Sequence, residues 1–421
     1  MSVAMTPPMG WNSWDCYGPA VSEEIVRGNA DYMAKHLKQY GWEYIVVDIQ
    51  WYQPTADTHE YHNFTELDMD EYSRLIPAVN RFPSAANGVG FKALGDYIHS
   101  LGLKFGIHIL RGIPRQAVHM NTKIKGTDIT ARQIASQASI CPWNTDMYGI
   151  DASKDGAKQY YDSLFELYAQ WGVDYVKVDD IADHYAKPEI ELIRDAIANS
   201  GRDMVLSISP GPAPLEEAEH MKEYVNLWRI TDDFWDKWEL LYAMFERTEK
   251  WCTHSGAGHW PDADMLPIGH ILQDYDENNF TKFTKDEQIT MMTLWSIFRS
   301  PLMIGGEMTK FDDFTKGLLT NQELLEMLNN SHSAHQIFRR GVEGQEKIAW
   351  MSTHTTTGYY IALFNAGEEE CKIAVDTDKI GLTGEFNAFD IWEGKDIGSI
   401  GTTIKATVRP HGAKVYKIEH I

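Results

Sequence analysis

Two short segments place a basic residue and an aspartate where both can act on a bound substrate. In the predicted strand 175–179 the side chains alternate in direction, so Lys177 and Asp179 lie on one face. An ammonium group within about 4–6 Å of a carboxylate lowers its pKa and keeps it ionised. The pattern predicts that Asp179 is a nucleophile. The alternative is a structural ion pair, since such pairs also shift pKa values.

The second segment, residues 228–235, carries Arg229 and Asp233 after another predicted strand. Sugar transfer with retention needs two carboxyl groups about 5–5.5 Å apart, one attacking and one protonating the leaving oxygen. Asp179 and Asp233 would reach the same mouth of a barrel. The alternative is that Asp232 and Asp233 cap a helix over residues 235–251.

Further side chains at strand ends have the chemistry of sugar recognition. Asp48 ends the most apolar predicted strand, and a carboxylate there can accept hydrogen bonds from two sugar hydroxyls. Trp11 and Trp14 follow the first strand and can stack on a sugar face, although tryptophans are as often core residues. Asp264 occupies the equivalent end of the seventh strand. Asp262, two residues earlier, can simply cap a turn.

Metal and nucleotide chemistry are not indicated by the sequence. The Asp-x-Asp spacing of Asp262 and Asp264 suits a divalent cation, but there is no twelve-residue calcium loop and no HExxH motif. Residues 88–90 lack the partners of a phosphate loop. A lone histidine such as His108 or His259 is more often structural than a ligand. We expect neither a metal nor an organic cofactor.

The elements that must position these residues read as a repeated strand–helix pattern. Helical periods lie between the strands, for instance at Val26, Ala30, Met33 and Leu37, and at Tyr161, Leu164, Tyr168 and Trp171. Alternation of this kind predicts an α/β fold, a (β/α)8 TIM barrel over residues 1–332, whose active residues follow the strand C-termini. The eight predicted strands cover residues 9–14, 44–48, 103–110, 175–179, 204–209, 225–229, 259–265 and 301–304, and the longest insertion covers residues 111–150.

The last quarter of the chain changes character. Strands without intervening helices are predicted at residues 347–351, 359–365, 371–375, 385–391 and 413–418, separated by glycine-containing turns. We therefore expect a C-terminal antiparallel β-sandwich domain over residues 333–421.

Composition limits the partners. The 421 residues carry 38 Lys plus Arg against 61 Asp plus Glu, a formal charge of −23, which disfavours nucleic acid and anionic lipid as partners. No apolar run reaches the ~18–20 residues of a membrane span. The four cysteines lie far apart and predict free thiols. The first ten residues lack a leader pattern, so we expect a cytoplasmic protein, with secretion as the alternative.

Taken together, these motifs resemble the α-galactosidases of glycoside hydrolase family 27, in clan D. Order and spacing agree over most of the chain, in residues 6–14, 81–83, 102–107, 172–179, 260–266 and 295–303. The resemblance implies that Asp179 is the nucleophile and that Asp233, four residues after Arg229, is the acid/base. It also implies sugar contacts for Trp14, Asp48, Lys177, Arg229 and Asp264.

Several positions near the expected sugar depart from the family pattern. A second aspartate usually follows the strand-two aspartate, whereas this chain has Ile49, and His108 replaces the usual tyrosine after strand three. The loop 110–115 is also unlike the common one. Ser209 replaces a glutamate and resembles the smaller residue of α-N-acetylgalactosaminidases, although residues 210–212 match neither group. We therefore include Ile49, His108 and Ser209 among the substrate-binding candidates.

The leading hypothesis from the sequence is a retaining exo-glycosidase that releases terminal α-D-galactosyl residues. The alternatives within the family are a β-L-arabinopyranosidase, whose sugar resembles galactose without C6, and an α-N-acetylgalactosaminidase. The alternative from another class is a sugar-binding protein without turnover. The sequence indicates neither the oligomeric state nor the natural glycan.

Overall fold

The computed structural model describes residues 3–421. Eight parallel strands form one sheet, and their order around the sheet is the same as their order along the chain. The last strand pairs with the first, and a parallel bridge between Leu266 and Ile304 joins the remaining edge. The sheet is therefore a closed barrel, as predicted. Its strands are β1 (Met9–Asn12), β2 (Tyr44–Val47), β3 (Lys104–Leu110), β7 (Tyr175–Asp179), β8 (Val205–Ile208), β9 (Leu227–Arg229), β10 (Trp260–Asp262) and β11 (Leu302–Ile304).

Helices cover the outside of the barrel and bury the faces expected from their sequence periods. Val26, Ala30 and Met33 are fully buried, as is Leu37 just past the end of their helix. The helices are α1 (Trp14–Tyr17), α2 (Glu23–His36), α3 (Lys92–Ser100), α4 (Arg115–Met120), α5 (Ala131–Ile134), α6 (Ala157–Trp171), α7 (Lys187–Asn199), α8 (Ala218–Tyr224), α9 (Trp238–Trp251), α10 (Lys285–Phe298), α11 (Asp313–Leu319) and α12 (Gln322–Asn329). Within residues 3–421 no helix is long and apolar enough to span a bilayer.

The insertion after β3 contains structure that the sequence did not reveal. A three-stranded antiparallel sheet forms there from β4 (Ile113–Pro114), β5 (Ala135–Ile140) and β6 (Met147–Ile150), in the order β4–β6–β5. Short strands with few β-branched residues give little periodic signal. This sheet holds the segment that carries Trp143 close to the barrel mouth.

The C-terminal domain consists of two antiparallel sheets packed around a separate apolar core. The strands are β12 (Ser331–Arg340), β13 (Lys347–His354), β14 (Tyr359–Asn365), β15 (Cys371–Asp376), β16 (Phe386–Asp390), β17 (Lys395–Gly401), β18 (Thr403–Val408) and β19 (Ala413–His420). One sheet has the order β12–β13–β14–β19–β16–β17, and β15 pairs with β18. Five strands were predicted, while β12, β17 and β18 were not. Trp238 of the barrel stacks on His411 at 3.6 Å between ring centroids. The four cysteines are free, as predicted.

Candidate active site

A cavity of about 410 Å³ opens where the C-terminal ends of the barrel strands meet. This volume lies within the range of about 300–1,000 Å³ that is typical of small-molecule sites. Its lining combines seven aspartates with two cations and several aromatic rings: Trp14, Asp15, Asp48, Tyr61, Trp143, Lys177, Asp179, Asp183, Pro210, Gly211, Arg229, Asp232, Asp233, Phe234, Trp235, Asp264 and Met265. Seven of the candidate site residues from the sequence therefore line this one cavity: Trp14, Asp48, Lys177, Asp179, Arg229, Asp233 and Asp264.

Asp179 is the last residue of β7, and its carboxylate is held ionised. Its Oδ2 lies 3.1 Å from Nε2 of His108 on the neighbouring strand β3, and its Oδ1 accepts from the Asp180 amide at 3.0 Å. Burial by itself disfavours the charge. The hydrogen bond and charge of His108, followed by Lys177 and Arg229, outweigh burial and lower the pKa of Asp179 below its usual range. His108 is therefore a direct partner of the predicted nucleophile.

Lys177 lines the same cavity, but its direct partner is Asp48 and not Asp179, which the sequence predicted. Its Nζ donates to Oδ2 of Asp48 at 2.9 Å, and it acts on Asp179 only through its charge. Asp48 also accepts from Asn12 Nδ2 at 2.7 Å and from the Ile49 amide at 2.8 Å. Against the effect of burial, Lys177 and His108 lower the pKa of Asp48. The lysine thus anchors a second carboxylate that remains charged.

Arg229 holds the two carboxylates on the opposite side of the cavity. Its Nη1 lies 2.8 Å from Asp264 Oδ1 and its Nη2 lies 3.1 Å from Asp233 Oδ1. The side chain of Asp233 is 56% exposed, whereas that of Asp264 is 7% exposed. Burial, together with the charges of Asp233 and Asp262, raises the pKa of Asp264 despite Arg229. Asp233 therefore lies at the rim, where solvent and a leaving group can reach it.

The helix-cap alternative for Asp232 and Asp233 is not what the structure shows. Helix α9 begins at Trp238, its N-cap position is Lys237, and no side chain caps it. Asp233 instead lies in the loop after β9 and pairs with Arg229. Asp233 therefore does not cap α9, and its carboxylate lines the cavity.

Three of the strands that carry aspartates turn sharply through left-handed backbone. Gln50, Asp180 and Asp264 have φ values of 62°, 57° and 81°. Non-glycine residues rarely adopt this conformation, and its strain is found mostly at functional sites. Gln50 lies two residues after Asp48, and Asp180 directly follows Asp179, so both turns adjoin carboxylates that line the cavity.

An aromatic wall closes one side of the cavity, and the sequence identified only one of its members. Tyr61 stacks on Trp14 at 5.8 Å, and Trp143 packs against Tyr61 at 5.8 Å. Tyr61 lines the cavity, and burial together with the charges of Asp179, Asp48 and Asp233 raises its pKa. Tyr61 and Trp143 lie in long loops that have no periodic sequence pattern. Their aromatic side chains are the one feature that is typical of sugar contacts.

Three candidates lie behind the cavity surface rather than on it. Ile49 is 1% exposed and packs in the barrel core, so it supplies no polar group to the site. His108 is fully buried behind Asp179. Ser209 lines a separate polar pocket of about 10 Å³ together with Arg229 and Lys177. Its Oγ is buried without a partner among the described residues.

The arrangement suits acid–base and nucleophilic chemistry by carboxylates. The carboxylate of Asp179 is partly buried and its pKa is lowered, and that of Asp233 lies at the rim. Among residues 3–421 no group of three or more His, Cys, Asp or Glu side chains is arranged to hold a metal ion. The aspartates are instead distributed around the mouth and paired with Lys177, His108 and Arg229.

Comparison with known proteins finds relatives along the whole chain. Residues 6–155 and 151–330 match the family model described as alpha galactosidase A. Residues 345–418 match the model of the alpha galactosidase C-terminal beta sandwich domain. Alpha-galactosidase 2 of Arabidopsis thaliana is 26% identical over 421 residues, which cover 99% of this chain and 90% of that protein.

Two solved structures are considerably more similar. A β-L-arabinopyranosidase of glycoside hydrolase family 27 from Geobacillus stearothermophilus, in complex with arabinose, is 55% identical with a TM-score of 0.97. The superposition covers 99% of this chain and 98% of that one. A candidate α-N-acetylgalactosaminidase from Bacillus halodurans is 53% identical with a TM-score of 0.89, covering 100% and 98% of the two chains.

Proposed function

Because this chain is a glycosidase that belongs to glycoside hydrolase family 27, the family of the α-galactosidases, we propose that it removes terminal β-L-arabinopyranosyl residues with retention of configuration. In the first step a carboxylate oxygen of Asp179 attacks the anomeric carbon while the glycosidic bond breaks. Asp233 gives its proton to the leaving oxygen. In the second step Asp233 takes a proton from water, whose oxygen displaces Asp179 from the sugar.

One observation carries the assignment of the two roles. Asp179 is mostly enclosed, with 15% of its side chain exposed, and His108 favours its ionised form, as a nucleophile requires, whereas Asp233 is 56% exposed at the rim where a leaving group exits. Asp48, Lys177, Arg229 and Asp264 then provide hydrogen-bonding groups for the sugar hydroxyls. The aromatic wall provides an apolar surface for the ring.

The choice of sugar rests on residue 49 and on the arabinopyranosidase that is 55% identical. Family members that release galactose usually have a carboxylate here, and the apolar, buried Ile49 cannot replace it. A hydroxymethyl group at C6 would lack that partner, and a missing hydrogen bond costs about 1–3 kcal/mol. Arabinopyranose has no C6 and avoids this loss.

The other two sugars differ in their support. α-D-Galactosides are the second candidate, favoured by α-galactosidase relatives that match 98–99% of this chain. N-Acetylgalactosaminides are the third candidate, favoured by the candidate α-N-acetylgalactosaminidase that is 53% identical to this chain.

Aryl β-L-arabinopyranoside, α-D-galactoside and α-N-acetylgalactosaminide test the proposal directly. We expect the arabinopyranoside to have the highest kcat/KM and its first product, followed by NMR, to have the β configuration. Asp179→Asn should abolish turnover with the fold intact. Ile49→Asp should raise galactoside over arabinopyranoside activity by about tenfold, while the matched control Ile49→Val keeps the wild-type ranking. An inverted first product would contradict the mechanism, and no hydrolysis of any of the three would favour a binding protein.

A further inference from the structure

Asp15 lines the same cavity but has no role in the chemistry described above. It belongs to α1, directly after β1, and is 3% exposed. In the order of strands around the barrel, β1 lies between β2 and β11 and three positions away from β7, which carries Asp179. Asp15 therefore lies on a different side of the cavity from Asp179.

Asp15 differs from every other aspartate of the cavity lining in its hydrogen bonding. The other six, Asp48, Asp179, Asp183, Asp232, Asp233 and Asp264, each accept at least one hydrogen bond from a protein donor. The Oδ2 atom of Asp15 is enclosed and has no partner among the described residues. It packs on Gly305, where a side-chain Cβ would overlap it. The glycine thus makes room for Oδ2, whereas Oδ1 is the oxygen that is not enclosed in this way. Among residues 3–421 no donor satisfies this carboxyl group.

A carboxyl in this position is far more stable neutral than charged. A buried carboxylate without donors or a paired cation is strongly penalised, so such a group takes up a proton. Burial first, and then the charges of Asp264, Asp233 and Asp48, raise the pKa of Asp15 well above its usual range, although Lys177 opposes them. A protonated carboxyl differs from the other aspartates because it carries an O–H donor.

We propose that Asp15 is a further substrate-binding residue, whose carboxyl O–H donates a hydrogen bond to one hydroxyl oxygen of the sugar in the cavity. This inference rests on the proposed function, since it requires a pyranose in that space. A charged aspartate can only accept hydrogen bonds from sugar hydroxyls, whereas a protonated Asp15 supplies a neutral donor on the side of β1 and β11. Only one sugar oxygen can take this hydrogen bond, which makes the contact selective.

Calorimetric binding of L-arabinose to the full-length protein tests the contact. Asp15→Asn keeps the size and an N–H donor, so its Kd should stay within about threefold of wild type. Asp15→Ala loses the donor and should weaken binding roughly five- to tenfold. With the 2-, 3- and 4-deoxy analogues, the Asp15→Ala effect should disappear for one analogue and persist for the other two.

Infrared spectroscopy provides a readout that does not depend on affinity. The wild-type protein should show the carbonyl band of a protonated carboxyl that is absent from Asp15→Asn and that shifts when arabinose binds. Absence of that band, unchanged binding by Asp15→Ala, or an equal loss for all deoxy analogues would overturn the proposal. Failure of the proposed function has a different signature, because wild type and variants alike would then bind neither arabinose nor galactose.

Discussion

Replacing His108 tests how Asp179, the proposed nucleophile, is kept ionised. The imidazole and Asp179 are 0% and 15% exposed and lie 3.1 Å apart, so solvent screens their interaction little. A hydrogen bond to a charged group contributes about 1.5–3 kcal/mol, and one pKa unit corresponds to about 1.36 kcal/mol. His108→Phe should therefore raise the pKa of Asp179 by about 1–2 units. Because the wild-type pKa is lowered, the acidic limb of the pH–rate profile should move to higher pH.

The assay is kcat/KM for an aryl glycoside across the acidic and neutral range. Phenylalanine is a suitable replacement because His108 Nδ1 has no partner among the described residues, so the hydrogen bond to Asp179 is the one that the side chain loses. The charge effect of His108 on Asp48 is lost as well. His108→Gln keeps a donor and should restore part of the shift. His220→Phe removes a similar histidine–carboxylate contact, 3.2 Å from Glu191 and outside the cavity, and should leave the limb in place.

Lys177→Met separates the effect of direct contact from that of charge. Its Nζ contacts Asp48 and influences Asp179 only at longer range, so this variant should move the acidic limb less than His108→Phe while raising KM more. An unmoved limb in His108→Phe, or a larger shift in Lys177→Met, would refute the account of Asp179 given by the structure.

Two further substitutions test the proposed acid/base, Asp233, and the ion pairs that support the strand end carrying Asp179. Asp233→Ala should slow glycosides with poor leaving groups far more than activated aryl glycosides, because only the former need its proton; equal slowing of both would indicate a binding role. Arg111→Met should destabilise the fold by about 3–5 kcal/mol in denaturant unfolding, because it leaves Asp180 and Glu189 buried without their cation. The exposed pair of Lys92 offers the control, since Lys92→Met should cost less than about 1 kcal/mol.

The sequence predicts the barrel and most of the site because strand ends carry their own signal. Period-two alternation puts Lys177 and Asp179 on one face, and the structure places both in the cavity. It does not predict which side chains touch, because contacts depend on the register between strands. In the ladder of β3 and β7, His108 lies opposite Lys177, and this register brings its ring to Asp179.

Loops limit prediction for a different reason. Tyr61 reaches the cavity from a long segment between β2 and α3, fixed by tertiary contacts such as the His59 amide donating to Asp274 Oδ2 at 2.6 Å. Such contacts join residues more than two hundred positions apart and leave no local pattern in the sequence. The same holds for Trp143, which depends on the small sheet after β3.

The charge balance of the cavity explains why these aspartates are tolerated together. Seven aspartates line it against only two cations, Lys177 and Arg229. The raised pKa values of Asp15 and Asp264 reduce the negative charge in the free protein. A glycosidic transition state develops positive charge on the ring, so the carboxylates that remain ionised stabilise it more than they stabilise the neutral substrate. The excess of aspartates over cations in the cavity therefore favours the transition state. It also disfavours the binding of sugars that carry a carboxylate of their own.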